Sequence, residues 1–201
     1  MEIKSISVGE LQTNCYLVIN ENTSDCLIID PGEDADFITS EILSLKLKPQ
    51  AILLTHGHYD HVLACLELKL NFNIPIYLDP KDRFLYEKAA SSASHFSHSN
   101  ALKQPATLPL PKSITLGTSV LTVMPTPGHT PGSVCFYSAP HLFVGDIIFE
   151  NGVGRTDFVY SSSSDLKRSI SYIKSLPEET LIYPGHENTP VFLSSILHPD
   201  F

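Results

Sequence analysis

Within six residues, His56-Gly57-His58-Tyr59-Asp60-His61 offers four side chains able to ligate a metal ion. The spacing has a geometric sense. At the end of a strand alternate residues point the same way, so His56 and His58 can converge on one ion. Asp60 and His61 lie beyond the turn, where a helix would begin, and can face a second ion beside the first. Neutral imidazole and carboxylate suit a borderline first-row cation. Gly57 permits the tight backbone between the two histidines. Three more candidates each follow a segment that reads as a strand, and each has a glycine directly before it: His129 in PTPGHTPG, Asp146 in VGD and His186 in PGH. Two divalent ions sharing one bridging carboxylate would use all seven residues and leave room for a bridging water. Ions about 3.5–4 Å apart would bring that water's pKa to about 7 and supply hydroxide at neutral pH. A purely structural site would instead favour four Cys or His ligands in a closed shell.

The elements that must position these groups read as follows. IKSISV, NCYLVI and CLIID are short strands rich in Ile, Val and Leu, closed by Pro31-Gly32. Phe37, Ile38, Ile42 and Leu45 fall at helical spacing, with Asp34 near the helix start. AILLT (51–55) reads as a buried strand running straight into the histidine cluster. Leu63, Leu66 and Leu70 continue at helical spacing, with Asp60 where an N-cap would lie. IPIYL is a further strand, and DPKDRFLYEKAA a helix entered through Asp79-Pro80. Residues 91–112, rich in serine and proline, read as a loop or flap. VLTVM, SVCFYS, LFVGD and TLIYPGH then read as strands, with a helix over DLKRSISYIKSL. The order is strands and helix, then strands and helix again, which suggests two β/α halves whose sheets pack face to face with helices outside.

Composition bounds the function. The chain has 201 residues, 42% of them hydrophobic and 17% charged, and is expected to form one domain over 1–201. No apolar run reaches the ~18 residues of a transmembrane helix. The start, MEIKSISVGE, lacks the pattern of a cleaved signal peptide, so a cytoplasmic location is expected. The net charge is −9, and the 13 Lys and Arg form no run, which argues against nucleic acid and anionic membranes as partners. Cys15, Cys26, Cys65 and Cys135 sit in apolar settings without a CxxC pair and read as buried thiols. His95, His98, His141 and His198 fit no ligand pattern and read as surface histidines.

THGHYDH, TPGHTPGS, GD and PGH, in this order, resemble the metallo-β-lactamase superfamily over nearly the whole chain. TNCYLV, PTPGHTPGSVCFY, FVGDIIFENGVGRTDF and YPGHE look like its glyoxalase II-like, hydroxyacylglutathione hydrolase-like branch. The resemblance implies an αββα sandwich of two mixed sheets with helices outside. It implies that His56, His58 and His129 hold one metal, that Asp60, His61 and His186 hold a second, and that Asp146 bridges them. Zn²⁺ is the expected metal, with Fe²⁺ or Mn²⁺ as alternatives. The implied reaction is hydrolysis of a small-molecule thioester such as S-lactoylglutathione by a bridging hydroxide, with Asp60 orienting the nucleophile. Arg155, in GVGRTDF, stands where such hydrolases carry a basic residue near the substrate. It reads equally as a clamp for an anionic thiol carrier and as a structural partner of Asp157. The C-terminal helical extension with further glutathione contacts, found in full-length glyoxalase II enzymes, is expected to be absent.

Other readings belong to the same superfamily. GRTDF and LPEETLIYP also resemble persulfide dioxygenases, which would place one iron on His56, His129 and Asp146, a face suited to Fe(II) and O₂. A metal-dependent nuclease is a third reading, set against by the acidic balance and the lack of room for a nucleic-acid arm. A non-enzymatic metal-binding module would be marked by a missing ligand, and none is missing.

Overall fold

The computed structural model describes residues 1–96, 101–187 and 189–196. Its strands form two six-stranded sheets. The first contains β1 (Glu2–Val8), β2 (Thr13–Ile19), β3 (Asp25–Ile29), β4 (Lys48–Leu53), β5 (Ile76–Leu78) and β6 (Leu108–Pro109), side by side in chain order. The second contains β7 (Ser113–Leu116), β8 (Ser119–Pro125), β9 (Val134–Ser138), β10 (His141–Gly145), β11 (Leu181–Pro184) and β12 (Val191–Phe192), again in chain order. The helices are α1 (Ala35–Ser44), α2 (Cys65–Phe72), α3 (Arg83–Glu87), α4 (Ala89–Phe96), α5 (Ser163–Ile173) and α6 (Leu193–Ile196). Both sheets are mixed. Pairing is antiparallel from β1 to β3 and parallel from β3 to β6, then antiparallel from β7 to β10 and parallel between β10 and β11.

Period-two alternation along the strands sorts the apolar residues into three layers. In β2 and β3, Cys15, Leu17, Cys26 and Ile28 face α1 and α2, where Ile38, Ile42, Cys65 and Leu68 meet them. The intervening Tyr16, Val18, Leu27 and Ile29 face the second sheet and pack with Phe136, Phe143 and Tyr183. On the far side of that sheet, Leu142, Val144 and Ile182 pack with Leu166, Ile170 and Ile173 of α5. Strands buried on both faces read as continuous apolar runs, which is why NCYLVI and CLIID show no polar alternation. The result is the expected αββα sandwich. All four cysteines are buried free thiols.

Three local expectations are corrected. The helix after the histidine cluster starts at Cys65 with Ala64 as its N-cap, and Asp60 caps nothing. Residues Tyr59–His61 instead form a single 3-10 turn, closed by His61 N–H to the His58 carbonyl at 3.1 Å. That turn directs the Asp60 and His61 side chains to the strand ends rather than along a helix. The expected helix from Asp79 is entered as foreseen, with the Asp79 carboxylate accepting from Lys81 N–H at 2.9 Å. It then divides into a 3-10 turn, α3 and α4. The segment 91–112 is not a plain loop. Its start completes α4, which buries Ala89 and Ala93, and Leu108–Pro109 pairs as the edge strand β6. Positions 97–100 of that segment, including His98, lie outside the described residues, as does His198.

The sheet-to-sheet layer is centred on Phe143, fully buried and in edge contact with Tyr16 at 5.2 Å between ring centroids. Phe143→Ala should lower the unfolding free energy by about 3–5 kcal/mol in a urea titration, whereas Leu70→Ala, on an exposed helix face, should change it by less than about 0.5 kcal/mol.

Candidate metal centre

The loops leaving β3, β4, β10 and β11 at their C-terminal ends, with the loop after β8, open onto one edge of the sandwich. All seven residues singled out in the sequence meet there. His58 Nδ1 lies 3.0 Å from His56 Nε2 and 2.9 Å from His129 Nε2. Beside this trio, His186 Nε2 lies 3.3 Å from Asp60 Oδ2, and His61 Nε2 lies 3.6 Å from the same oxygen. Asp146 stands between the groups. One of its oxygens is 3.4 Å from His61 Nε2, and the other is 3.6 Å from His129 Nε2 and 3.7 Å from His186 Nε2. Two donor triads, His56/His58/His129 and Asp60/His61/His186, are each compact enough to hold one ion.

The other nitrogen of each imidazole fixes which one is bare. His129 Nδ1–H donates to the Arg155 carbonyl at 2.9 Å, and His186 Nδ1–H to the Leu11 carbonyl at 3.0 Å. His61 Nδ1–H donates to Asp30 Oδ2 at 3.1 Å. His56 Nδ1–H donates to Thr55 Oγ1 at 3.0 Å, whose own proton goes to Asp30 Oδ2 at 2.5 Å. His58 donates its Nε2–H to the Tyr160 hydroxyl at 2.7 Å. The remaining ring nitrogen of each histidine points into the cluster, where the Asp146 and Asp60 carboxylates favour a proton on that of His61.

The electrostatics agree. Burial, with the neighbouring histidines, holds His56 well below the ordinary imidazole range. Burial and His129 bring His58 down to about 4. Burial opposes the charged form of His61 too, but the Asp146 and Asp60 carboxylates outweigh it and raise His61 well above 6.5. Asp146, despite burial, is correspondingly held well below the usual carboxylate range by His61.

A metal ion fits these residues on an observation of the fold itself. His61 Nε2 and Asp146 Oδ1 are buried, and neither completes a hydrogen bond among the described residues. An unpaired buried polar atom costs about 1–3 kcal/mol. A cation between them is the partner both lack, and the donor set is the nitrogen and oxygen mixture that first-row cations take.

Glycines let the chain come this close. A Cβ on Gly185 would strike the Asp146 carboxylate and the His61 ring. Gly128 has φ +146°, and a side chain there would meet the Leu166 backbone at the start of α5. Sequence reading missed four supporting residues: Asp30, Thr55, Asp82 and Tyr160. Asp30 carried a signal, being an acid that ends an otherwise apolar strand just before Pro31-Gly32. Asp82, fully buried, accepts from Gly57 N–H at 2.9 Å, Gly132 N–H at 2.7 Å and the Thr130 hydroxyl at 2.6 Å. Nothing in its local sequence announces that role.

A cavity of about 740 Å³ opens beside the cluster, with Leu11, Leu85, Phe96, Phe149, Phe158 and Tyr160 among its walls. Tyr59 lines it too and stacks on Phe96, with ring centroids 6.2 Å apart. The Arg155 guanidinium is on the exposed rim, paired with both oxygens of Asp157 at 3.0 and 2.7 Å. His95 is exposed on α4. His141 lies at the opposite end of β10 from Asp146 and contacts the Tyr183 hydroxyl at 2.9 Å.

The metallo-beta-lactamase superfamily model matches residues 8–186. The hydroxyacylglutathione hydrolase GloC of Haemophilus influenzae is 34% identical over 196 residues, covering 92% of this chain and 91% of that protein. Among solved structures, the BLEG-1 B3 metallo-beta-lactamase is 35% identical with a TM-score of 0.87, covering 96% of this chain and 95% of that one. TTHA1623, solved in a di-iron-bound form, is also 35% identical with a TM-score of 0.87, covering 96% of each chain.

Metal uptake should release protons. His61 is raised above 6.5 in the metal-free protein, so at pH 7 it carries a proton on the nitrogen an ion would take. That proton must leave, so affinity should rise with pH up to the raised pKa of His61. Calorimetric Zn²⁺ titrations in buffers of different ionisation enthalpy count the protons. An affinity flat between about pH 6 and 8 would contradict the assignment.

Proposed function

Because the chain belongs to the metallo-beta-lactamase superfamily, we propose that it is a binuclear metal-dependent hydrolase acting on acyl thioesters. The observation that carries this reading is Asp146, one carboxylate within 3.4–3.7 Å of histidines from both donor triads at the mouth of a cavity. His56, His58 and His129 would hold one ion, Asp60, His61 and His186 the other, and Asp146 would serve both. Bound there, the ions would supply a water of lowered pKa and a Lewis acid for the acyl carbonyl. The similarity to a hydroxyacylglutathione hydrolase supports the substrate class.

The chain's own residues perform the rest. Asp60, at the cavity wall, would accept a hydrogen bond from the attacking water and orient it. Tyr160 and Phe158, stacked at 5.3 Å between centroids, fix the wall next to His58. A thiol has a pKa of about 8–9, so a thiolate departs without a proton, whereas an amine leaving group needs an acid. The cavity's tyrosines are poor acids for that purpose. Burial raises Tyr59 and pushes Tyr160 up to about 12. The raised tyrosines support a thioester over an amide as the substrate.

Metal-loaded protein should discharge S-lactoylglutathione or a neutral lactoyl thioester, read by loss of thioester absorbance. Asp146→Ala should reduce the rate by about a thousandfold or more, with metal content falling in parallel. A cephalosporin reporter and an oxygen electrode run alongside would identify lactam hydrolysis or O₂ consumption. Either in place of thioester loss overturns the reading.

A further inference from the structure

Away from the donor cluster, the cavity wall is mostly carbon: Leu11, Leu85, Phe96, Phe149, Val153 and Phe158. Its charged side chains beyond the cluster are Arg155 and Glu187. Arg155 is already engaged. Its Nε and Nη2 donate to the two oxygens of Asp157, the bidentate geometry that guanidinium and carboxylate favour, and its guanidinium carbon lies 4.8 Å from the Phe158 ring centroid.

We infer that this centre takes thioesters whose acyl and thiol parts are uncharged and largely apolar, and that Asp157 sets the preference by occupying the guanidinium that would otherwise clamp an anionic carrier. The inference rests on the thioester reading above. A carrier carboxylate has to displace Asp157, which is tethered two residues away and therefore present at high effective concentration. Displacement does not remove Asp157, whose negative charge stays on the rim with Glu187. An uncharged carrier meets neither obstacle and covers the leucine and phenylalanine walls, gaining from the apolar area removed from water. The volume, about 740 Å³, accommodates an aromatic acyl group together with a short thiol carrier. The Arg155–Asp157 pair lies on the exposed rim, so salt should weaken its influence on carrier choice.

The test compares two thioesters with the same lactoyl group and the same scissile bond. One carrier is N-acetylcysteamine, which is neutral, and the other is glutathione, which has two carboxylates and an ammonium. With metal-loaded protein, kcat/KM should favour the neutral carrier by about tenfold, and replacing lactoyl by phenylacetyl should raise it further. Asp157→Asn should shift the ratio toward glutathione by about tenfold at low salt, a shift that shrinks in about 0.5 M salt. Adding Arg155→Ala to that variant should abolish the shift, which a merely structural role of Asp157 would not produce. Preference for the glutathione ester in the unaltered protein, or a ratio indifferent to Asp157→Asn, overturns the inference and leaves thioester hydrolysis standing. If metal-loaded protein cleaves neither ester, the thioester reading itself fails and the inference falls with it.

Discussion

Everything at this edge of the sandwich depends on holding several imidazole nitrogens and two carboxylates in one small, largely buried volume. That arrangement is unfavourable on its own. The nitrogens repel one another, and burial strips them of solvent. Asp30 makes it tenable. One buried carboxylate accepts from the Thr55 amide at 2.8 Å, the Thr55 hydroxyl and the His61 ring, and through Thr55 it also fixes His56. It thus orients one residue of each donor triad and turns the Nε2 of His56 and His61 toward the cluster. Two backbone carbonyls do the same for His129 and His186. The free energy of folding has to cover this local cost, and a bound cation would return part of it.

The sandwich can meet that cost because the cluster straddles its two sheets. His56, His58, Asp60 and His61 follow β4 of the first sheet, while His129, Asp146 and His186 follow β8, β10 and β11 of the second. Their separation is therefore set by how the sheets pack, and the Tyr16–Phe143–Tyr183 layer determines that spacing. Polar ties reinforce it at the site. Tyr16 donates its hydroxyl proton to the Pro184 carbonyl at 2.5 Å. Asn14 grips the loop carrying His186 through its backbone N–H to Gly185, at 2.7 Å, and its side chain to Pro184 and Glu187, both at 3.1 Å. Val134 N–H reaches the Thr55 carbonyl at 2.9 Å, joining β9 to the loop that begins the histidine cluster. Core packing and site geometry are the same constraint here.

This explains what could be read from the residues in advance. The seven donors were legible because each has a side chain with chemistry to perform and a short-range pattern around it: HxHxDH, or glycine before the donor at a strand end. The strands were legible because burial on both faces demands continuous apolar runs. The boundary of α2 was not, since Asp60 looks like an N-cap until its carboxylate is needed beside His186, a residue over a hundred positions away. Helix α4 was hidden because Ser and Ala carry little helical periodicity, and its buried face is only Ala89 and Ala93. Arg155 was noticed for its side chain, yet its backbone carbonyl is what orients His129.

Asp30 and Asp82 show why supporting groups are harder to foresee than donors. Both are buried carboxylates satisfied by donors from distant segments, and Asp82 has no cationic partner among the described residues. Asp30 acts on the donor side chains. Asp82 acts on the backbone that carries them, drawing together the Gly57 turn between His56 and His58 and the Thr130–Gly132 turn after His129. Burial raises its pKa, and those three hydrogen bonds favour the ionised form and limit the rise. The approach is so close that a Cβ at Gly57 or Gly132 would collide with Asp82. Gly57, read from sequence as freedom for the backbone, and Gly132 thus both leave room for Asp82, and the histidines on both loops owe their mutual position to it.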